Sequence, residues 1–367
     1  MKIGLSGEML DELYEASYDG ENADAFINEI YLNLDEADRA TISKASDVAR
    51  EMRKIAISRM DEEAKEAFAA VQVGFGLDEI ALLDIEDFEE DPYYKAVVSA
   101  MKKPLAKGKW KLEMRSYKPF ELFVYDEVRP SPIAPFITYS PLGYFKKQFP
   151  YPALVEGDTT YMSLIPHEIL TMAGPIKKAR GRVATYGLGM GYFAFMASNK
   201  DEVESVTVLE RDEKVIEIFK SFFLPLFPHK EKIHIVQGDA LLYRPEVPFD
   251  YLFVDLYHDA TDALPMYLKL MQAEGLAKER DFWIEKAILE YFRRHVTSLL
   301  QEEADGYEDS DYSSRPDFTS ALLSSLHFHL KQVELREDKD VFALLDDENL
   351  KRIAKTMKFL PVEAKRA

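Results

Sequence analysis

Three glycines on alternate positions, Gly187, Gly189 and Gly191, interrupt an otherwise apolar stretch, VATYGLGMGYFAFMAS (183–198). Downstream, three carboxylates each follow an apolar run: Glu210 after SVTVL, Asp239 after KIHIVQG and Asp255 after FDYLFV. Glycine lets a main chain approach a ligand with no Cβ in the way. Ionised carboxylates accept hydrogen bonds from hydroxyl and amino groups and attract positive charge. Glu210 is placed to accept from the hydroxyls of a ribose, and Asp239 from an adenine amino group. Buried without partners, such groups are strongly unfavourable. Together they imply a ligand rich in donors and carrying positive charge.

The glycine spacing narrows the choice. A nicotinamide dinucleotide site uses G-x-G-x-x-G, whereas this chain has G-x-G-x-G with Tyr192 where the third glycine would fall. No Gly-Lys-Ser/Thr follows, which excludes a Walker-type phosphate loop.

These residues need elements to hold them. RVATYG reads as a strand and GYFAFMASN as the start of a helix. SVTVLE (205–210) is a strand, DEKVIEIFKSFFL (212–224) a helix, KIHIVQGDA (232–240) a third strand and FDYLFVDL (249–256) a fourth. DALPMYLKLMQAE (262–274) is helical, and DFWIEKAILEYFRRHVTSLLQ (281–301) is a short strand running into a helix. PHEILTMAGPIKKA (166–179) forms a helix before the first strand. Alternating buried strands and helices predict an α/β fold with a doubly wound, mostly parallel sheet. Ligands of such sheets lie at the carboxyl ends of the strands, where all three carboxylates fall.

Outside this core, residues 8 to about 103 read as helical, with Ile42, Val48, Met52, Ile55 and Met60 at helical spacing. KWKLEMRSYKPFELFVYDEV suggests two strands around a turn at Ser116–Pro119, and the Pro- and aromatic-rich passage 129–158 reads as a connecting, lid-like segment. The acidic stretch 302–317 reads as a loop, and the remainder as mainly helical. The resulting division is a helical part, 1–107, a β-containing linker or lid, 108–165, and a Rossmann-like part with C-terminal helices, 166–367.

Composition excludes several function classes. The 367 residues include no cysteine, so neither thiolate metal sites nor cysteine nucleophiles are available. Net charge is −20, a field that repels phosphate backbones, so no nucleic-acid substrate is expected. Residues 1–107 hold 25 acidic side chains against 12 basic, whereas 102–118 hold seven basic and one acidic, read as a solvated hairpin face. No apolar run approaches the roughly 20 residues of a membrane helix. MKIGLSGEMLDELYEA meets acidic residues too early for a signal-peptide core, so a cytoplasmic location is expected.

YGLGMG, VTVLERD, VQGDA and FDYLFVD, in that order and across about residues 180–275, resemble the motifs of class I S-adenosylmethionine-dependent methyltransferases. The resemblance implies that Gly187, Gly189 and Gly191 form the loop for the methionine part of S-adenosylmethionine. It also implies Glu210 for the ribose and Asp239 for the adenine. With their neighbours, the candidate cofactor-binding residues are Tyr186, Gly187, Gly189, Gly191, Glu210, Arg211, Asp239, Ala240 and Asp255. The family usually carries an acid two positions before the first glycine, where this chain has Thr185. That departure also resembles spermidine synthases, which transfer an aminopropyl group from decarboxylated S-adenosylmethionine. Asp255 and Asp259 are similar to their paired aspartates, at a spacing of four rather than three, and Met190 replaces an aspartate in the loop.

Methyl transfer is an in-line displacement governed by proximity and orientation, aided by a base where the acceptor is protonated. The acceptor side of the crevice is expected beyond the fourth strand, at Asp255, Tyr257, His258 and Asp259. His258 is the natural general base, with Asp259 orienting it or holding an amine. LYHDATD equally reads as a polar loop with Asp259 or Thr261 capping the next helix. Upstream, Tyr161, His167 and Glu168 are candidates to line the pocket. A metal site is not expected, since only Asp281 and Glu285 could add ligands to Asp255 and Asp259. The function read here is methylation of a small-molecule acceptor, with a second copy of the chain (a homodimer) as the candidate protein partner and no membrane partner. The alternatives are an aminopropyltransferase and a non-catalytic S-adenosylmethionine-binding protein.

Overall fold

The computed structural model describes residues 2–3, 81–130, 138–157, 159–304 and 317–358. The helices expected between residues 8 and 80 lie outside the described residues. From 81 onward the expected all-helical reading is corrected: Ala81–Leu82 is a short strand, and two helices follow, α1 (Ile85–Glu89) and α2 (Pro92–Ala100). Asp91 caps α2 through the Tyr93 and Tyr94 amides, and Pro92 sits at the first helical position, where no amide donor is needed.

A four-stranded antiparallel sheet comes next, built from β1 (Leu105–Lys107), β2 (Trp110–Tyr117), β3 (Phe149–Glu156) and β4 (Thr159–Ser163) in the order β4-β3-β2-β1. This overturns the expected strand pair around Ser116–Pro119. β2 pairs with β3 along its whole length, Trp110 opposite Glu156 and Tyr117 opposite Phe149. The second expected strand, at Phe123–Val124, pairs with Leu142–Tyr144 in a separate small sheet. The passage expected as a lid thus supplies β3 and buries Phe149, Ala153, Leu154 and Val155. β3 and β4 are joined antiparallel with a register shift between Thr160 and Met162, so Tyr161 stands at a bulge.

Helix α3 (Pro166–Lys178) then leads into the parallel sheet. Its strands are β5 (Gly181–Tyr186), β6 (Val203–Glu210), β7 (Ile233–Gln237), β8 (Phe249–Val254) and β9 (Ala277–Phe282), in the order β7-β6-β5-β8-β9, every pair parallel. The chain is an α/β protein of doubly wound, Rossmann-like topology, with strand order reversing between β5 and β8. The three central strands are buried on both faces, through Val183 and Ala184, Val208 and Leu209, and Leu252 and Phe253 among others. β9 is polar because it is an edge strand: Lys278 pairs with Asp250, Arg180 with Glu279 and Lys178 with Asp281.

Helices α4 (Tyr192–Ser198), α5 (Glu213–Ile218), α6 (Ala260–Gln272) and α7 (Glu285–Ala304) cover the sheet. The expected helix over 212–224 is α-helical only to Ile218 and continues as a wide turn over Phe219–Phe223, which carries Phe219 beneath Gly191. The loop expected over 302–317 is corrected at its start, where α7 runs to Ala304; residues 305–316 lie outside the described residues. Helices α8 (Phe318–Leu330), α9 (Asp338–Leu345) and α10 (Asp347–Thr356) complete the described fold. No helix among the described residues is long and apolar enough to cross a membrane.

Candidate functional site

The carboxyl ends of β5, β6, β7 and β8 converge on one cavity of about 360 Å³, within the range of small-molecule sites. It opens at the point where strand order reverses. Its walls include Gly187 and Gly189 after β5, Glu210 and Arg211 after β6, Asp239 and Ala240 after β7, and Asp255, Tyr257 and His258 after β8. Of the expected cofactor residues, seven of nine therefore meet in this space.

The turn after β5 is shaped by contacts that exclude side chains. Gly187 has φ +97°, and a Cβ on it would lie 1.8 Å from the Asp255 carbonyl oxygen. The Asp255 amide donates to the Tyr186 carbonyl at 2.8 Å, so the β5 and β8 ends are laced together here. Gly189 has φ +48°, and a Cβ there would meet the Met162 sulfur at 1.8 Å. Thr185, standing where an acid was expected, donates its hydroxyl to the Gly187 carbonyl and stabilises the turn.

Helix α2 braces this turn from outside. The Tyr93 hydroxyl donates to the Met190 carbonyl, and the Tyr192 hydroxyl to Asp91 Oδ2 at 2.9 Å. The Tyr93 ring lies 4.6 Å from Phe195, and Phe195 meets Phe227 edge-on at 5.1 Å. Such aromatic pairs add to simple burial.

Glu210 is 5% exposed and already well partnered. Its Oε1 accepts from the Arg211 and Asp212 amides, both at 2.8 Å, and its Oε2 from the Leu188 amide at 3.3 Å. A carboxylate offers about four acceptor positions, so room for a ligand hydroxyl remains. Asp239 uses Oδ1 to accept from the Leu241 amide and is otherwise exposed.

Asp255 differs from both. Its carboxylate accepts no hydrogen bond from the described residues, and burial, with Glu210 beside it, pushes its carboxyl up to about 7. Glu168, on α3, is half-buried near it and is raised well above the usual carboxylate range by burial and by Asp255. A second, small cavity is lined by Glu168, Thr185 and Asp255, with Met162 forming a wall of both spaces.

Aromatic side chains close one side. The bulge aims Tyr161 into the cavity, where its ring lies 4.6 Å from Trp110 and 5.6 Å, edge-on, from His258. Trp110 is itself fixed by donating Nε1 to Asp212 at 3.1 Å. Burial and the carboxylates of Glu210 and Asp255 hold the Tyr161 phenol well above its ordinary value, so it is a neutral wall.

Several expectations are corrected. Tyr186 is not at the cavity: it is buried, its ring edge-on to Tyr243, its hydroxyl without a partner among the described residues. Gly191 borders only the small cavity and gives Phe219 room, a Cβ there falling 2.4 Å from that ring. Asp259 caps α6, accepting from the Thr261 and Asp262 amides, and does not line the cavity. Tyr257 lines it, but its hydroxyl donates to the Trp283 carbonyl at 2.7 Å and is unsuited to proton transfer. His258 is exposed at the rim. His167 turns away to Trp283, and burial lowers its pKa to about 4.

Sequence reasoning missed Met162 and Asp262. Asp262 carried a signal, since D-x-x-D before an apolar helix is a capping box; its carboxylate accepts from the His258 and Asp259 amides. Met162 carried none, because the bulge that places it depends on β3. Asp281 and Glu285 are committed elsewhere, Asp281 to Tyr251 and Lys178, Glu285 to Tyr267 and Lys351. No group of three or more potential metal ligands occurs among the described residues.

No family model and no curated protein matches the sequence. Solved structures similar to it include a spermidine synthase in complex with the transition-state analogue AdoDATO, at 15% identity over 53% of this chain and 61% of that one, TM-score 0.31. Spermidine synthase from Thermotoga maritima matches at 17% identity over 40% and 58%, TM-score 0.28. The 23S rRNA methyltransferase ErmE matches at 21% identity over 40% and 55%, TM-score 0.24. In each case the match takes in less than two thirds of the other chain's length. The names these matched structures carry are those of S-adenosylmethionine-dependent or rRNA methyltransferases and of spermidine synthases.

Proposed function

We propose that this chain is an S-adenosylmethionine-dependent methyltransferase acting on a small molecule. The observation that carries this reading is the charge balance of the cavity. Glu210, Asp239, Asp255 and Asp262 line it, with Arg211 the single Lys or Arg side chain among its lining residues. A pyrophosphate would meet repulsion there, whereas an adenosyl sulfonium offers hydroxyl and amino donors and a positive charge. The residues fit that group: the turn at Gly187 has no space for a side chain, Glu210 is a fixed acceptor, and Asp239 has a free oxygen.

When bound, S-adenosylmethionine supplies an electrophilic methyl on sulfur. The chain's own contribution is to hold the adenosyl part between Glu210 and Asp239 and to exclude water with Tyr161 and Trp110. The acceptor is aligned from the β8 side, where Asp255, its carboxyl pushed up to about 7, takes a proton from a protonated nucleophile. Asp255 replaces His258 and Asp259 as the residue best placed for that role.

Aminopropyl transfer is the second reading. It is favoured by the unpartnered Asp255 beside the loop and by the antiparallel sheet that lays Tyr161 over the cavity. Thermal-shift measurements separate the two readings from a dinucleotide enzyme. S-adenosylhomocysteine at 100 times its dissociation constant should stabilise the protein by about 2.7 kcal/mol. Stabilisation by NAD alone rejects the proposal, and transfer from decarboxylated S-adenosylmethionine with none from S-adenosylmethionine establishes the second reading.

A further inference from the structure

Glu210 is held by the turn that follows β6, and one side chain reaches that turn from outside the parallel sheet. Trp110 opens β2, 102 residues before Asp212, and is 3% exposed. Its indole Nε1 donates to Asp212 Oδ2 at 3.1 Å. The other carboxylate oxygen of Asp212 has separate work: Oδ1 accepts from the Lys214 amide at 2.7 Å and the Val215 amide at 3.4 Å, capping α5. The cap therefore needs one oxygen only, and a serine hydroxyl would supply it. The second oxygen is engaged by the antiparallel sheet.

The amide of the same residue completes a relay. Asp212 N–H donates to Glu210 Oε1 at 2.8 Å, beside the Arg211 amide at the same distance. A turn of Asp212 about its own backbone swings that donor, and with it the Glu210 carboxylate. The indole resists such a turn because it is rigid and carries a single donor. Its ring is itself enclosed, with Lys109 Nζ 4.7 Å above it and the Tyr161 ring 4.6 Å away. The hairpin of β1 and β2 also meets α5 through Lys107 and Glu217, at 3.4 Å, but that pair is exposed and contributes little. Trp110 is thus the stronger tie between the hairpin and this turn. It does not line the main cavity, so its influence on a ligand passes through its neighbours.

We propose that Trp110 is a positioning residue for the nucleoside site: its indole N–H, through Asp212, fixes the turn that presents Glu210 to ribose hydroxyls. This rests on the adenosyl-binding reading and adds to it that preference for an intact ribose is set jointly by the two sheets. A residue that only walls the site affects every nucleoside alike. One acting through Glu210 affects only those with hydroxyls for it to accept from.

The test is calorimetric binding of adenosine, and of dideoxyadenosine, which lacks both ribose hydroxyls. It compares the full chain with its Trp110→Phe variant, which keeps an aromatic ring behind Tyr161 and removes the donor. The unaltered chain should prefer adenosine by about tenfold or more. In Trp110→Phe the preference should shrink to within about threefold, through lost adenosine affinity, with dideoxyadenosine bound as before. A preference that keeps its size overturns the proposal, even where both affinities fall together, because Trp110 then only supports the fold. Asp212→Ser keeps a capping oxygen and removes the acceptor of the indole N–H, and it carries the test if Trp110→Phe does not fold. It should lose the same preference, and adding Trp110→Phe to it should alter adenosine affinity by less than about twofold. Full, additive losses from the two changes contradict the relay. If the unaltered chain binds the two nucleosides equally, or neither, the ribose assignment of Glu210 falls first and the proposal with it.

Discussion

Glu210 and Asp255 end two strands of one sheet and face the same cavity, yet they are built as opposites. Three backbone amides donate to Glu210 and fix it before any ligand arrives. Asp255 receives no such bond from the described residues and has a second half-buried acid, Glu168, near it. A carboxylate that satisfies backbone amides is part of the scaffold as well as of the site. One left unsatisfied is stabilised only by a proton or by something that binds.

The largest effect should come from a change that disrupts both corners together. Gly187→Ala puts a Cβ into the Asp255 carbonyl at a left-handed φ, and should cost about 3 kcal/mol or more in stability and abolish nucleoside binding, read by urea unfolding and calorimetry. Next, Glu210→Gln presents an amide nitrogen to backbone donors. It should lower stability by about 2 kcal/mol and weaken nucleoside binding at least about tenfold. If affinity is unchanged, Glu210 belongs to the scaffold alone.

Asp255→Asn should act with the opposite sign on the ligand-free protein. The Asp255 carboxyl is raised in the folded state, so its favourable contribution is complete below its unfolded value, near 4, and is lost as pH rises to about 7. Chemical unfolding across that window should show stability falling with pH, and the variant should flatten the slope. A slope that persists assigns it to Glu168 or another raised group. The smallest effect is expected from Asp259→Ala, a lost cap worth about 1 kcal/mol with nucleoside affinity unchanged. A large loss of turnover in that variant without a loss of stability would restore Asp259 to the catalytic side.

How much was legible follows from where each signal resides. The central strands β5, β6 and β8 announce themselves because burial on both faces demands mostly apolar stretches, such as VTVL in β6 and YLFV in β8. The acids at their ends were legible because nothing in packing explains them. β9 was read too short, since an edge strand is free to be as polar as AKERDF. The pairing of β2 with β3 was not legible: alternation marks a strand but not its partner, and the partner lies beyond the nearest turn. Tyr186 and Tyr161 exchange roles for the same reason. Tyr186 sits next to the motif but faces the protein interior, whereas Tyr161 is turned into the cavity by a bulge formed against a distant strand. Glu168 was nameable as a candidate, but its meeting with Asp255 is a property of the assembled fold.

The two tyrosine hydroxyl bonds that hold the glycine turn, Tyr93 to Met190 and Tyr192 to Asp91, join positions 97 and 101 residues apart. They cross the seam between the segment before the antiparallel sheet and the parallel domain. Modularity of architecture is therefore not modularity of function in this chain. A fragment beginning at β5 would keep every strand end and every acid beyond it, and lose the outer half of the clamp on its most constrained loop. Recombination or truncation at that seam would transplant a complete list of motifs and an incompletely supported site.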